Sequence, residues 1–459
     1  MTAATASSEL ASVDQKLVDQ SNAPSLLGRI QIFPCVAFLI CAAAAFWNTV
    51  DPSTDQENYV GVDWRVIFKV AIASAAMLCG GWGFLHSKKI RQSLLGLPGL
   101  LVAGLGVGLI VMSLFALAEV ANFSRISALL HFGYVLFIPT ALYVLGLRNV
   151  MIAILIGLVG HVALAWFLYI FFPDIGVFQE ELAQSTFVKR MGGLGHPNGV
   201  GRNAVLMGLL SLVLYRGLDA KTRAPGVRAV LIMLMVLTIP SVLSTFSRTA
   251  MAAGMAATIF LVGDLLLTRR GIALCILSLA IGISGLLAAQ VVIGDRAITQ
   301  SVLSAGTKTG DVSELTSATG RTAIWAETIS LIIERPLTGY GLSSAPTLLE
   351  NFSYRPHNSV LHITLAGGVF CGAAVLCLLA WNLFFGLTSS EPLIRAISMY
   401  VLISGLFEDT VVDTFASPIT LLWLIVLLYP AIAMAFKLPI ERIDSTAYNR
   451  PVALSLIHI

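Results

Sequence analysis

Apolar residues run through this sequence in blocks of about twenty, separated by short polar or charged breaks. That block length is what a helix needs to cross about 30 Å of hydrocarbon. Windows bounded by charge, Pro or Gly clusters predict spans near 30–49, 65–85, 95–118, 127–146, 150–172, 197–215, 228–243, 250–267, 271–292, 357–384, 393–410 and 415–436. The expected fold is an all-α integral membrane protein of about twelve transmembrane helices. Its expected organisation is a tail at 1–29, nine spans over 30–292, a large loop at 293–356, three spans over 357–436 and a second tail at 437–459.

Composition narrows the class. The 459 residues are 57% hydrophobic and 12% charged, and mean hydropathy is +0.87. About a quarter of a soluble globular chain is charged, so that class is excluded. The net charge of +3 is spread thinly and no Lys/Arg block exists, which argues against nucleic acid as a partner. The six cysteines lie inside apolar runs without a Cys-x-x-Cys, as small core residues do. The first 28 residues are polar and no small-residue cleavage site follows them, which reads as a retained first span. Leu454 to Ile459 carry no interpretable signal.

An even span count puts both tails on one side, and the short loops on that side are basic: Lys88, Lys89 and Arg91, then Arg216, Lys221, Arg223 and Arg228, then Arg269 and Arg270. The positive-inside rule therefore makes the tails cytoplasmic. Basic residues on the outer side run against this bias, among them Lys189, Arg190, Arg202, Arg248, Arg321 and Arg355, and suggest that an anion is handled there. Two outer loops, 173–196 and 293–356, are long enough to hold structure, and loops of such length are usually functional. Within the second, Thr322 to Arg335 predicts an amphipathic helix with Trp325, Ile329, Ile332 and Ile333 on one face, ended by Pro336 to Gly341.

Three residues stand out for chemistry. Arg248 sits in a very short outer turn, Ser244 to Ala250, where a charge marks either a function or an arginine snorkelling to lipid phosphates. Arg321 opens the amphipathic helix, where free N–H groups already favour an anion; paired with Arg248 it offers planar forks that match phosphate oxygens. His357, where the large loop returns to the membrane, suits proton abstraction from a hydroxyl, or else a plain hydrogen bond at a helix start. His196, beside Arg202, could line the same site, while His131 and His161 read as buried, hydrogen-bonded residues of spans. Glu408, Asp409 and Asp413 cluster at an outer end, and Asp51, Asp55, Glu57 and Asp63 fall in the first outer loop; solvated turns explain either group.

Taken in order, Ser247-Arg248-Thr249-Ala250, Gly320-Arg321-Thr322-Ala323-Ile324-Trp325, Pro336, Gly339-Tyr340-Gly341, Pro356-His357-Asn358 and Gly367-Gly368 resemble the O-antigen ligase and polymerase family. The resemblance covers about residues 190–380. It implies a fold like that of the C superfamily of glycosyltransferases and a metal-independent transfer, without cofactor, of a glycan carried on undecaprenyl pyrophosphate. It also implies that Arg248 and Arg321 hold the pyrophosphate and His357 activates the acceptor, with Arg202, His196, Asn358, Arg355 and Tyr340 as accompanying substrate contacts. The site would lie on the periplasmic face of a bacterial inner membrane. The motif spacing is most similar to polymerases that join lipid-linked repeat units, with a chain-length regulator as an allowed partner. A ligase delivering to lipid A core and a protein-directed oligosaccharyltransferase stay open.

Two rivals come from other classes. A lipid-linked glycan transporter would set its charges near the bilayer midplane. A metal-dependent transferase would use the acidic first outer loop, Asp51, Asp55, Glu57 and Asp63, to bind a divalent cation.

Overall fold

The computed structural model describes residues 26–45, 64–182, 186–218, 225–266, 321–351, 355–389, 391–409, 411–412 and 416–436. Its principal helices are α1 (Leu26–Ala44), α2 (Trp64–His86), α3 (Leu97–Met112), α4 (Ala121–Phe171), α5 (Pro197–Arg216), α6 (Pro225–Thr245), α7 (Arg248–Leu266), α8 (Arg321–Glu334), α9 (Ser359–Thr388), α10 (Pro392–Phe407) and α11 (Pro418–Phe436). Each expected span that falls on described residues coincides with a helix. Among the described residues six stretches, Val66–His86, Leu97–Phe115, Ala121–Phe171, Pro225–Thr245, Ser359–Thr388 and Pro418–Ala435, are long and apolar enough to cross a membrane, and these helices fit a membrane protein. The expected span 271–292, residues 1–25 of the first tail, the second tail, the acidic residues expected in the first outer loop, Asp413 and all of 293–320 lie outside the described residues.

α4 is two helices joined at Gly146, whose φ of 74° no other residue adopts without strain, matching the expected boundary between 127–146 and 150–172. α11 forms the centre: Leu421, Leu422, Trp423, Leu424 and Leu428 are all fully or almost fully buried, and α11 packs on α4, α10 and α3. Small residues let the surrounding helices close up. A Cβ at Gly80 of α2 would come within 2.5 Å of the backbone of Phe137 in α4, so only glycine permits that approach.

The described residues are mostly helical, as the expected all-α class requires, and the structure adds two details. One is a short antiparallel hairpin, β1 (Val177–Leu182) and β2 (Thr186–Met191), with Phe178 opposite Arg190. The stretch 173–196 is long enough for two six-residue strands, whose backbone groups pair with each other. The buried side of α8 carries Ile324 and Thr328, whereas Ile329 and Ile333, assigned to the apolar face, are exposed. Periodicity finds an apolar stripe but not which neighbour claims it, and here α9 and the segment after α8 take the adjacent face.

α9 is broken as well. At Gly368 the backbone turns to φ 75°, and the carbonyls freed above it do not stay empty. Tyr340 N donates to the Leu365 carbonyl and Gly341 N to the Ala366 carbonyl, both at 2.8 Å, while Val369 N donates to the Pro336 carbonyl at 2.8 Å. The Pro336 to Gly341 run thus lies against the gap and completes its hydrogen bonds, as irregular backbone within a bundle requires.

Candidate active site

One end of the bundle gathers the start of α5, the turn between α6 and α7, the start of α8, the start of α9 and the end of α10. α7 packs along α10 and α8 along α9, which brings these ends together. His357 is set by its neighbours. Asn358 caps α9, its Oδ1 accepting from Val360 N and Leu361 N at 3.0 Å, and its Nδ2 donates to the Leu406 carbonyl at 3.1 Å. Trp325 Nε1 of α8 donates to the Pro356 carbonyl at 2.9 Å. Between these anchors His357 is held at φ 50°, a left-handed conformation costing a non-glycine residue about 1–3 kcal/mol. Strain of that kind collects where a side chain must be aimed.

The aim is at Glu408, directly after α10. Its Oε2 lies 3.4 Å from His357 Nδ1, and its Oε1 accepts from Arg321 Nη2 at 3.3 Å and from Asn198 Nδ2 at 3.1 Å. Burial pushes the Glu408 carboxyl up, but the hydrogen bond and charge of His357 and the charge of Arg321 more than offset it, so it lies below its ordinary value. An ionised carboxylate only accepts. Nδ1 of His357 is therefore the donor, and in the neutral ring Nε2 is the basic nitrogen. This is the arrangement by which a carboxylate orients an imidazole for base catalysis.

Behind Asn198 stands Arg190 of β2, 1% exposed, whose Nη2 donates to Asn198 Oδ1 at 2.8 Å and whose Nε donates to the Thr245 carbonyl at 2.7 Å. The hairpin is thereby tied to the end of α6, three residues before Arg248. Next to Glu408, Asp409 pairs with Arg355, Nη1 to Oδ2, at 3.0 Å. Burial pushes Asp409 up, yet the charges of Arg355, His362 and His357 hold it well below the carboxylate range.

The structure brings Arg321 and His357 together on one carboxylate. Arg248 opens α7 in the same cluster of helix ends. Arg355 is engaged by Asp409, and Asn358 is the α9 cap. His196 is exposed at the start of α5, its Nδ1 accepting from Asn198 N at 3.3 Å. Arg202 lies one turn further along α5, its Nε buried and without a hydrogen bond among the described residues, close enough to His161 and Tyr400 to act on them electrostatically. Tyr340 is placed elsewhere: its hydroxyl donates to the Leu331 carbonyl and meets Glu334, both at 3.1 Å, and Arg335 lies 4.9 Å over its ring. A shallow concavity of about 390 Å³ lined by Phe115 and residues 334–338 adjoins Tyr340, not Glu408. His131 is buried as expected, but neither of its ring nitrogens is bonded among the described residues.

Sequence reasoning missed the role of Glu408 and, behind it, Asn198 and Arg190. The available signal was an acidic pair directly after an apolar span, at the end where unmatched cations gathered. His357, Glu408 and Asp409 also present ligand atoms within 4.8 Å of one another, a spacing that would suit a cation. Arg321 and Arg355 already neutralise those two carboxylates, so a divalent ion would have to displace both guanidinium groups.

Residues 230–377 match the family model described as O-antigen ligase. The matched stretch contains Arg248, Arg321 and His357; Arg190, Asn198, Glu408 and Asp409 lie outside it. No curated protein matches the chain.

Proposed function

We propose, from the match of residues 230–377 to the O-antigen ligase family model and the motifs that resemble the ligase and polymerase family, that the chain is a metal-independent polymerase working on undecaprenyl-pyrophosphate-linked glycans. The growing chain passes from its carrier lipid to a lipid-linked repeat unit at the periplasmic face of a bacterial inner membrane. Both tails are then cytoplasmic, and the spans divide at 292 and 357 as the hydropathy pattern suggests. The observation that carries the reading is the single carboxylate of Glu408 shared by a cation, Arg321, and a base, His357.

In this reading Nε2 of His357 takes the proton of the acceptor hydroxyl as its oxygen bonds to the anomeric carbon of the donor. The bond from that carbon to the phosphate oxygen breaks, and the pyrophosphate leaves with the electron pair. Charge growing on that oxygen is met by Arg321 and Arg248, while Arg202 lies deeper for the second phosphate. Preorganised cations in a poorly solvated mouth act on developing charge far more strongly than they would in water. Glu408 keeps the imidazole aimed and stabilises the imidazolium that forms. The location of this cluster at helix ends supports transfer over transport, which would place charge near the midplane.

A ligase that delivers the glycan to lipid A core is the second reading, favoured by the description of the matching family. The test uses purified protein in detergent with a lipid-linked glycan, in chelator, wild type beside His357→Ala. We expect a ladder of glycan lengths from the lipid-linked units alone, reduced about 10²–10⁴-fold in the variant, the usual contribution of a general base. Transfer only after lipid A core is added would make it a ligase. Activity lost in chelator and restored by magnesium would sink metal independence.

A further inference from the structure

We propose that the break in α9 at Gly368 and the Pro336 to Gly341 segment form a clamp that positions Arg321 against His357, and that Gly368 and Tyr340 are positioning residues. The proposal rests on the catalytic roles given above for Arg321 and His357. These two residues are 36 positions apart, on elements joined by a loop, and something must hold α8 in register with α9.

The clamp begins where α8 ends. Pro336 follows Arg335, and its carbonyl accepts from Val369 N, the first donor below the break. Gly339, at φ 62°, lets its backbone pass within van der Waals reach of the Leu365 and Ala366 carbonyls, where a Cβ would sit 2.6 Å from the first. The chain then delivers Tyr340 N and Gly341 N to those two carbonyls. Gly341, at φ 97°, fits against Ala116 and Ser124, and the Tyr340 carbonyl accepts from Leu117 N at 3.0 Å, so the loop before α4 braces the other side.

Tyr340 returns the connection to α8. Its hydroxyl reaches the Leu331 carbonyl and Glu334 in the last turn of that helix, and its ring packs with Ile324, Ala345, Leu349 and Leu365. Ile324 is three residues from Arg321. The route from the break to the guanidinium is therefore a continuous set of packed and bonded groups. Trp325, bonded to the Pro356 carbonyl, closes the far side next to His357.

Why a broken helix serves better than a whole one follows from hydrogen bonding. An intact α9 would satisfy its own carbonyls and offer the segment nothing at that depth. A break exposes two acceptors and one donor, a pattern that only one register of an incoming strand-like segment can meet. Specificity of register comes from groups that would otherwise be buried unbonded, which is costly. A Cβ at 368 would collide with the Leu337 carbonyl oxygen, and the residue would strain at φ 75°. Alanine there favours healing of α9 into a regular helix, which expels the segment.

The test compares full-length wild type, Gly368→Ala and, as a control for adding a methyl to a spanning helix, Gly81→Ala, where a Cβ meets nothing within 4 Å. Three readouts are taken in detergent: chymotryptic cleavage after Tyr340, acylation of His357 by diethyl pyrocarbonate followed by mass spectrometry, and glycan transfer. In wild type, Tyr340 is 4% exposed and should resist cleavage. Gly368→Ala should be cleaved there, should have His357 acylated several-fold faster as α8 swings off it, and should lose at least tenfold in kcat while still folding, with a lowered melting temperature. If Gly368→Ala fails to fold, Tyr340→Ala loosens α8 while leaving the break in α9 and its backbone hydrogen bonds in place, and should raise the His357 rate by a smaller factor. Protection of Tyr340 in a folded Gly368→Ala, or cleavage there with His357 reactivity unchanged, overturns the proposal. Wild type that transfers no glycan overturns the functional reading, while cleavage and acylation still decide the clamp.

Discussion

Glu408 and Asp409 are consecutive, both buried, and both paired with an arginine, but they are built differently. Glu408 spreads its two oxygens over Arg321 of α8, Asn198 of α5 and His357 before α9, whose charged partners are 15% and 21% exposed. Asp409 closes a single pair with Arg355, which is 41% exposed and sits in the loop leading to α9. The first carboxylate joins three elements around a base; the second fastens one loop end. Charge alone does not separate them, since both carboxyls are held below their ordinary values by the charges around them. What separates them is which groups they orient.

The sharpest way to break this contrast is Glu408→Gln. The amide keeps the volume but loses the charge that compensates Arg321 and stabilises the imidazolium, and it lets His357 adopt the wrong tautomer. We expect transfer to fall by about 10²–10⁴-fold, on the scale of losing the base itself. Asp409→Asn should cost far less, and equal losses for the two would end the distinction. Assays of both variants for glycan transfer, at matched amounts of folded protein, decide it.

Acid provides the next test. A carboxylate whose folded value is depressed adds stability that is fully present above its unfolded value and is lost as pH falls through the folded one. With ordinary values of 4.5 for Glu408 and 3.8 for Asp409, the site end should hold its full stability above about pH 5 and weaken below it. Thermal melts of wild type should decline as pH drops from 5 towards 3. Glu408→Gln should start lower and decline less, because one of the linked protons is gone. A parallel decline in both proteins would show that Glu408 is not depressed by its partners.

The helices were legible in the sequence because block length and breaks at Gly, Pro and charge directly reflect what a bilayer demands. Their places were not. The windows in α6 and α11 have the same mean hydropathy, 2.1, yet 22% of one and 78% of the other is buried in the bundle. Lipid and a protein core accept the same apolar side chains, so pattern cannot rank centre and rim. Arg321 and His357 were legible as a cation at a helix start and a base at a loop end. Glu408 was not, because an acidic pair after a span looks the same whether it meets water or an arginine 87 residues earlier. The break at Gly368 was hidden for a related reason: Gly367 and Gly368 sit in an unbroken apolar run, and the partner that completes the hydrogen bonds of Leu365, Ala366 and Val369 around them is a segment whose turn residues suggested only a helix end.

The smallest expected effect is that of Arg355→Ala. Its guanidinium meets Asp409 at 3.0 Å but is 41% exposed, and partly solvated pairs contribute roughly 0–1 kcal/mol. Removing it leaves Asp409 buried beside His362, and that carboxyl should rise towards its ordinary range, because the largest of the charges holding it down is gone. Transfer should stay within about fivefold of wild type, as that much free energy allows, and the melting temperature should fall slightly, more at pH 7 than at pH 4, because the stability that the pair adds is full only above the ordinary value of the carboxyl. The contrast with Glu408→Gln is then a measured ratio between two adjacent carboxylates. If Arg355→Ala instead lost activity as fully as Glu408→Gln, the Asp409 pair would have to hold the substrate or His357 itself, and the cluster of His357, Glu408 and Asp409 would act as one unit.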